Sequence, residues 1–445
     1  MELRRKAYER FEFWQSHKTS QALLVTGSRQ VGKSYLVNKF AHEAYGHAVL
    51  FDLVENVAAR ESFAQARDVD DLLFRISVVA QAPLVPHETV VVFDEVQECP
   101  TLITLVKYLV ERGDYDYILT GALLGVELEG ARSLPVGYVT EVRMFPLDFE
   151  EFCWASGVPE SAFDLLRSSA ETRTPLPDFL HELLLQQFRR YLLVGGMPDA
   201  VVAYHATNSI DQVRIIQGDI RSLYRRDITK YAPKDRRLVI GDIYERIPAE
   251  LLRENRRFRL SSVEGVKRFK QVDNDLLWLT GAGVALAETS VSEVCSPLLA
   301  SERRGAFKLF LSDVGLLTGS YTKNVAQDIL DDVPAGPLGG IYENYVAEEL
   351  VAHGFRLRYF SDSGKRIGEL DAIVERADGS LVLFEVKSGG RYRTHAALDH
   401  ALEVWPRETI EAYVPSNANI EDAGRITYLP VYATGLFVPD EAGPR

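Results

Sequence analysis

Gly27-Ser28-Arg29-Gln30-Val31-Gly32-Lys33-Ser34 is the stretch that decides the fold of the first part of this 445-residue chain. An apolar run, QALLVT (21–26), precedes it, and an amphipathic pattern, YLVNKFAHEAY (35–45), follows it. A glycine-rich turn between a strand and a helix lets backbone N–H groups surround an anion at the positive end of the helix. The spacing is G-x-x-x-x-G-K-[ST], in which Lys33 would reach the β- and γ-phosphates of ATP and Ser34 would ligate Mg²⁺. We therefore expect ATP to bind at Gly27, Ser28, Arg29, Gln30, Val31, Gly32, Lys33, Ser34 and Tyr35.

An acidic pair, Asp94-Glu95, follows the apolar stretch VVVF (90–93). Asp94 would hold Mg²⁺ through water, and Glu95 would polarise the attacking water. The alternative is that these carboxylates cap a helix after a buried strand. Because this pair follows the phosphate-loop pattern in the expected order, the sequence favours a nucleotide site.

The strand and helix patterns predict an α/β fold with three domains. QALLVT (21–26), HAVLF (47–51), TVVVF (89–93) and DYILT (116–120) alternate with helical patterns, which indicates a parallel sheet covered on both faces. A mainly helical region follows, and DDVPAGPLGG (331–340) is typical of a linker. A helix, three strands and a return helix then form a further α/β unit. The predicted domains are residues 1–160, 161–335 and 336–445.

Composition and chain ends exclude several classes of protein. The chain is 46% hydrophobic and 26% charged, which excludes a disordered, collagenous or coiled-coil molecule. We find no secretory signal and no run of the roughly 18 apolar residues that cross a bilayer. Cys99, Cys153 and Cys295 lie far apart, which fits neither a disulfide framework nor a zinc site. A cytoplasmic location without membrane contact is the expectation.

Positive charge concentrates in one segment of an acidic chain. The formal net charge is −14, but residues 221–270 hold 15 Lys and Arg against 7 Asp and Glu. The helix–turn–helix and strand-pair pattern of this region is compatible with a winged helix, which could present the basic residues to DNA phosphates. Two alternatives are a solvated helix face and a contact with the ATP of a neighbouring subunit in a homo-oligomer, with Arg225 and Arg226 as candidates.

The whole chain resembles prokaryotic AAA+-like ATPases that carry a C-terminal restriction-endonuclease-like domain of the PD-(D/E)xK type, a group of mostly unassigned function. The motifs that carry the resemblance are GSRQVGKS, VVFDEVQ, ILTGALLG, PVGYVTEVRMFPLDFEEF, YLLVGGMPDAV, KLFLSDVGLL and GGIYENYVAEEL…GELDAIV…LFEVKSG. The resemblance implies a P-loop ATPase core, a helical, winged-helix-like middle and a nuclease-like end. It also implies that Thr120 contacts the γ-phosphate or the attacking water, the alternative being an ordinary strand-end hydroxyl. Ala122 stands where related sequences often carry serine.

The same resemblance implies a second acidic site near the C-terminus. Asp371 and Glu385 would bind Mg²⁺, Lys387 would stabilise the attacking water or the phosphate charge, and Glu343 would be an additional acidic ligand. Lys387 stands two residues after Glu385, on the same face of a strand. Magnesium held by carboxylates would activate water for phosphodiester cleavage. The alternative is that these groups form plain surface ion pairs.

Two functions from different classes fit these observations. The first is a Mg²⁺- and ATP-dependent ATPase that controls a DNA-handling, nucleolytic C-terminal domain. The second is a nucleotide-dependent switch that binds DNA or a partner protein and cleaves nothing. A signalling or defence module that oligomerises on ATP is a third interpretation.

Overall fold

The computed structural model describes residues 1–18, 20–82, 84–121, 137–331, 333, 337–362, 368–406 and 410–439. The chain divides into two compact units. The N-terminal unit comprises Arg4–Phe145 with Gly281–Gly283, and the C-terminal unit comprises most of the chain from Pro146 onward. The first unit therefore ends before the predicted boundary at residue 160.

The N-terminal unit is built on a five-stranded parallel sheet in the order β2-β3-β4-β1-β5, which confirms the predicted sheet. Its strands are β1 (Ala22–Thr26), β2 (His47–Asp52), β3 (Thr89–Asp94), β4 (Asp116–Gly121) and β5 (Val139–Arg143). Its helices are α1 (Lys6–His17), α2 (Lys33–Ala44), α3 (Val57–Ala64), α4 (Val69–Ala80) and α5 (Pro100–Arg112). The interior strands β1, β3 and β4 are almost entirely buried, as expected for strands covered on both faces.

The edge strand β5 was not among the four predicted strands. It reads VTEVR, and Val142 is its only fully buried residue. An edge strand with alternating polar residues lacks the continuous apolar run by which the interior strands are recognised. The predicted position Ala122 lies outside the described residues.

The C-terminal unit begins as a stack of helices, as predicted. The helices are α6 (Phe149–Ala155), α7 (Glu160–Thr172), α8 (Asp178–Val194), α9 (Pro198–Thr207), α10 (Ile210–Tyr231), α11 (Arg237–Leu251) and α12 (Asp273–Gly281). Further along the chain are α13 (Val314–Thr318), α14 (Lys323–Leu330), α15 (Leu338–Ala352) and α16 (Ala396–Val404). Helix α6 starts with a reciprocal capping box in which Asp148 and Glu151 bond each other's backbone N–H groups.

A mixed sheet in the order β12-β13-β11-β10-β9-β8-β6-β7 completes this unit. Its strands are β6 (Ala285–Val291), β7 (Glu302–Leu311), β8 (Arg358–Ser361), β9 (Glu369–Glu375), β10 (Leu381–Phe384), β11 (Ile410–Ser416), β12 (Glu421–Asp422) and β13 (Ile426–Pro430). The hairpin β6–β7 comes from the predicted middle domain, yet β6 pairs in parallel with β8. Residues 161–335 and 336–445, which we predict as separate domains, thus contribute to one sheet.

None of the helices in the described ranges is both long enough and apolar enough to cross a bilayer.

Candidate functional site

The loop between β1 and α2 has the backbone shape that the phosphate-loop pattern requires. Gly27 and Gly32 have φ values of 138° and 91°, and Gln30 also has a positive φ, 64°. A Cβ on Gly27 would lie 2.2 Å from the carbonyl oxygen of Met144, so only glycine fits there. Gly32 supplies no side-chain cap to α2. The N–H groups at the start of α2 are therefore available to an anion, and this loop fits a nucleotide phosphate.

Lys33 lies in the interior of this loop. Only 4% of the residue is exposed, and its Nζ donates to the carbonyl oxygens of Gly27 at 3.0 Å and Ser28 at 2.8 Å. Ser34 is half-buried on the first turn of α2, whereas Tyr35 is 58% exposed. The remaining predicted contacts occupy the same turn: Ser28 and Val31 are buried, Arg29 is half-buried and Gln30 is exposed.

The acidic pair lies at the carboxyl edge of the same sheet. Strand β4 lies between β1 and β3, so the ends of all three strands meet at one edge. The Thr120 hydroxyl, fully buried at the end of β4, accepts the Glu95 backbone N–H at 3.3 Å and donates to the Asp94 carboxylate. The Gln97 amide donates to the Glu95 carboxylate. Thr120 therefore joins the two acidic residues in one hydrogen-bonded group.

Arg5 is a residue of this site that sequence reasoning missed. It is 7% exposed, and its guanidinium donates to the carbonyl oxygens of Val31 at 2.8 Å and Phe145 at 2.6 Å. The guanidinium therefore ties the phosphate loop to the chain that follows β5. In the sequence Arg5 belongs to a charged terminus, MELRRK, which gives no sign that one of its arginines is buried.

Two of the predicted acidic residues of the C-terminal unit, Asp371 and Glu385, lie on or just after the paired strands β9 and β10, and they have basic or backbone partners. Asp371, on β9, accepts the Val386 N–H at 2.8 Å. Glu385 follows β10 and accepts from Lys387 Nζ at 2.7 Å and from the Leu398 N–H at 3.0 Å. Both oxygens of Glu385 are therefore used within the chain.

Glu343 pairs with two cations that sequence reasoning did not connect to it. Its Oε2 lies 3.1 Å from Nζ of Lys308, a fully buried lysine on β7, and its Oε1 pairs with the Arg256 guanidinium. Lys308 also lies 3.1 Å from Glu369 Oε1 and 3.9 Å from Glu288 Oε2. We call these five residues, together with Asp371, the buried charge cluster.

Burial and mutual repulsion shift the protonation of this cluster. Burial, with the Glu343 charge added, raises the pKa of Asp371 to about 8. Burial also raises the pKa of Glu288 well above its usual range. Burial alone would lower the pKa of Lys308, but the surrounding carboxylates, Glu343 first among them, raise it overall. Lys308 is therefore a permanent positive charge between these carboxylates.

These residues do not fit a magnesium centre as they stand. Both oxygens of Glu343 face cations, and both oxygens of Glu385 accept hydrogen bonds. Within the described ranges, no group of three or more His, Cys, Asp or Glu residues is placed to hold a metal ion.

The basic stretch 221–270 is largely neutralised by partners, several of which lie outside it. Seven of its arginines form ion pairs: Arg225, Arg236, Arg246, Arg253, Arg256, Arg257 and Arg259. Asp275, Glu343 and Glu369, which neutralise three of them, lie beyond residue 270. The exposed basic residues that form no ion pair with a described residue are Arg226, Lys230, Lys234, Lys267, Arg268 and Lys270.

Comparison with family models divides the chain into three matched segments. Residues 19–153 match a family described as an AAA domain. Residues 185–326 and 338–432 match two families that are each described as a domain of unknown function (DUF8612 and DUF4143). The N-terminal unit is thus an AAA-type P-loop ATPase domain, followed by a separate region with a mixed sheet.

Several solved structures align with this chain at low identity and low TM-score. A Walker-type ATPase of Pyrococcus abyssi is 18% identical, with 72% of this chain and 95% of that chain covered and a TM-score of 0.40. The Orc1 protein of Aeropyrum pernix in complex with DNA is 13% identical, covering 75% and 93% of the respective chains, with a TM-score of 0.26. The Hsp104–ADP complex of S. cerevisiae is 12% identical, covering 78% and 43%, with a TM-score of 0.29. No curated protein matches this chain. Because these TM-scores are below 0.5, the ATPase assignment rests on the family model and the loop geometry.

Proposed function

We propose that this protein hydrolyses ATP with Mg²⁺ and acts as a nucleotide-dependent switch whose C-terminal unit binds nucleic acid without cleaving it. One observation supports ATP hydrolysis above all others. The phosphate loop and the hydrogen-bonded group Asp94–Thr120–Glu95 lie at the same edge of a parallel sheet. Ligands of open α/β sheets bind at the carboxyl ends of the strands.

The residues of the loop would hold the triphosphate. The backbone N–H groups of residues 27–34 and the start of α2 would bind the phosphate oxygens. Lys33 would exchange its bonds to the Gly27 and Ser28 carbonyl oxygens for phosphate oxygens. Ser34 and Asp94 are the residues that would hold Mg²⁺, directly and through water respectively, and the bound metal supplies charge neutralisation to the phosphates.

Glu95 and Thr120 would serve the hydrolytic step. Glu95 would orient and polarise the attacking water, and Thr120 would keep Glu95 and Asp94 in position through its two hydrogen bonds. Gln97 bonds the Glu95 carboxylate and would fix its direction.

Phosphate release from ATP tests this proposal, with variants at two lysines of the same helix. Lys33→Ala removes the buried ammonium and should abolish turnover, because the phosphates lose their cation. Lys39→Ala removes a surface lysine that pairs with Glu43, and it should retain wild-type turnover. Equal turnover in Lys33→Ala and wild type would refute the ATPase proposal.

The non-cleaving role of the C-terminal unit is supported by its ion pairs. Phosphodiester cleavage with metal needs carboxylate oxygens that are free to coordinate. Lys308 and Arg256 neutralise Glu343, and Glu369 pairs with both Lys308 and Arg257. Basic side chains therefore take the charge-balancing role that a metal ion has in a nuclease.

A plasmid-nicking assay with Mg²⁺ or Mn²⁺, run with and without ATP, distinguishes the two functions. We expect no nicking by wild type or by Asp371→Ala. Nicking by wild type that disappears in Asp371→Ala would establish the nuclease alternative instead.

The proposed contact with nucleic acid is formed by residues 267–270 of the basic stretch. Lys267, Arg268 and Lys270 are exposed and form no ion pair with a described residue. Between them Phe269 packs against Phe307 of β7, with ring centroids 5.7 Å apart. An anchored loop with three uncompensated charges can contact a phosphate backbone without reading the base sequence.

DNA affinity as a function of salt concentration tests this contact. The triple variant Lys267→Gln, Arg268→Gln, Lys270→Gln should lower affinity and reduce the slope of log K against log[salt] by up to about 3. A triple variant of exposed basic residues elsewhere in the same unit, Lys323→Gln, Arg391→Gln, Arg393→Gln, is the charge-matched control. Equal losses in both triple variants would refute a localised contact.

Self-association on nucleotide binding remains a separate prediction of the AAA-type domain. Light scattering with and without a non-hydrolysable ATP analogue should show a larger particle with the analogue. An unchanged mass would count against a homo-oligomer.

A further inference from the structure

A short turn far along the chain belongs to the N-terminal unit. Helix α12 lies in the C-terminal unit up to Thr280, the chain then passes through residues 281–283 of the N-terminal unit, and it returns to the C-terminal unit at Val284. Strand β6 starts directly afterwards, at Ala285. We call residues 281–283 the contact turn. It is a part of the ATPase domain that lies between a helix and a strand of the other unit.

The conformation of the contact turn follows from the way in which α12 ends. Gly283 has a φ of 71°, and the Val284 N–H donates to the Leu279 carbonyl oxygen at 3.2 Å. A left-handed residue followed by this hydrogen bond is a Schellman motif, which commonly ends a helix at a glycine. The sequence LTGAGV (279–284) therefore supplies a glycine for the turn itself, whatever lies beside it.

The space beside Gly283 imposes a second requirement for glycine. A Cβ at this position would lie 3.1 Å from the Ser28 backbone nitrogen and 3.4 Å from the Ser28 Cβ. Gly113, at the end of α5, has nearly the same φ, 72°, but a Cβ there would meet nothing within 4 Å. Gly283 is therefore packed against the phosphate loop, whereas Gly113 ends its helix in open space.

Ser28 belongs to the part of the loop that ATP must rearrange. It is 3% exposed, and its carbonyl oxygen accepts from Lys33 Nζ at 2.8 Å. In the proposed function, Lys33 exchanges this oxygen for phosphate oxygens. Ser28 thus has two settings, one in which Lys33 bonds its carbonyl oxygen and one in which Lys33 bonds phosphate, and Gly283 lies against it.

The other end of α12 is fastened to the basic loop 267–270. The Gln271 side chain accepts two backbone N–H groups of this loop, at 2.8 and 2.9 Å. Arg236 donates to the Gln271 carbonyl oxygen and pairs with Asp275 on the first turn of α12. A helix of nine residues is about 13 Å long and moves as one piece. A displacement at the contact turn therefore reaches the basic loop.

We propose that the contact turn positions the phosphate loop and transmits its occupancy by ATP, through α12, to the basic loop 267–270. This inference rests on the proposed function and names the element that regulates it. Gly283 has no side chain that could absorb a change at Ser28, so its backbone moves and α12 moves with it. Because coupling between two sites is reciprocal, nucleic acid bound at the basic loop changes the affinity for ATP in turn.

Hydrogen exchange of the full chain, measured by mass spectrometry with and without a non-hydrolysable ATP analogue and Mg²⁺, tests the transmission. Exchange should slow in residues 27–36, and it should also change in residues 267–272 and 276–284, whereas α7 should be unaffected. Slowing at residues 27–36 while either of the other two segments stays unchanged overturns the inference. No slowing at residues 27–36 would refute the nucleotide site of the proposed function, and the inference with it.

Two glycines with the same backbone conformation give a matched pair of variants. Gly283→Ala and Gly113→Ala both place a Cβ on a left-handed residue, so both should melt below wild type. The added Cβ of Gly283→Ala presses on Ser28, so its KM for ATP should rise roughly threefold to tenfold with kcat less affected. Gly113→Ala should keep the KM of wild type. Equal KM values in the two variants overturn the positioning role.

Asparagine at the same two positions separates the contact from backbone strain. Asparagine adopts the left-handed conformation more readily than alanine does, but it still carries a Cβ. Gly283→Asn should therefore raise the KM for ATP as alanine does, and Gly113→Asn should leave it unchanged. A wild-type KM in Gly283→Asn overturns the contact between the turn and the phosphate loop as the cause.

Discussion

The nucleotide site and the buried charge cluster each contain carboxylates and a buried lysine, but they hold these charges in opposite ways. In the nucleotide site Lys33 bonds to backbone carbonyl oxygens, and Asp94 and Glu95 bond to neutral groups. In the charge cluster Lys308 is surrounded by carboxylates.

This difference separates a site that is ready for a ligand from one that is already neutralised. A neutral partner positions a charged group without cancelling its charge, so Asp94, bonded to the Thr120 hydroxyl, keeps its charge for Mg²⁺. The negative charge of Glu343 is neutralised by Lys308 and Arg256 inside the protein. Separating such a pair costs free energy because each buried charge is then desolvated without a partner. The first arrangement suits turnover, and the second suits a fixed structure.

Among variants that still bind ATP, Glu95→Gln should have the largest effect on the nucleotide site. The amide keeps the size of the side chain but cannot polarise water as a carboxylate does. We expect kcat for ATP hydrolysis to fall about 10²- to 10⁴-fold while ATP affinity is retained, measured by phosphate release and by nucleotide titration. A variant that hydrolyses ATP at the wild-type rate would remove the contrast between the two sites.

Lys308→Met should have the largest effect on the charge cluster. It leaves Glu288, Glu343 and Glu369 without their shared cation, so the free energy of unfolding should fall by about 3–5 kcal/mol in urea denaturation.

Lys323→Met is the control for this experiment. Lys323 is an exposed lysine that pairs with Asp211, and its loss should change stability by no more than about 0.5 kcal/mol. If Lys308→Met were equally mild, the cluster would not depend on its buried cation.

Thr120→Val should have an intermediate effect on turnover. Valine has the shape of threonine but can neither accept the Glu95 N–H nor donate to Asp94. We expect kcat to fall roughly tenfold, a barrier increase of about 1.4 kcal/mol, with ATP affinity little changed. Thr120→Ser keeps the hydroxyl and should recover most of the rate, whereas an equally slow serine variant would argue against the hydrogen bonds.

Arg5→Gln should have a smaller effect than Glu95→Gln, Lys308→Met or Thr120→Val. It removes the guanidinium that joins the phosphate loop to Phe145, so ATP affinity should weaken roughly threefold to tenfold. Arg4→Gln changes a half-exposed neighbour and is the control, and equal nucleotide titration curves for the two variants would exclude a role for Arg5.

The parts of the fold that could be predicted were those with local signals. The phosphate loop, its flanking strand and helix, and three further strands follow from glycine spacing and apolar runs. The edge strand β5 did not, because only Val142 in it is fully buried. The pairing of β6 with β8 joins segments about 70 residues apart, and no local pattern encodes that contact.

The same distinction holds for the sites. Asp94 and Glu95 could be placed because they end an apolar strand, and the structure locates them at the sheet edge. The partners of Glu343 could not be predicted from the sequence, because Lys308 precedes Glu343 by 35 residues and Arg256 precedes it by 87. One signal was present: Lys308 interrupts the apolar run AFKLFL, and a buried lysine requires a carboxylate partner.

The number of Mn²⁺ ions bound per chain, in the presence of a non-hydrolysable ATP analogue, tests the central claim most directly. The account predicts one ion per chain, which is lost in Ser34→Ala and retained in Asp371→Ala, because Asp94 has a neutral hydroxyl as its partner whereas the described carboxylates around Lys308 are paired with cations. A second ion per chain that disappears in Asp371→Ala would contradict it.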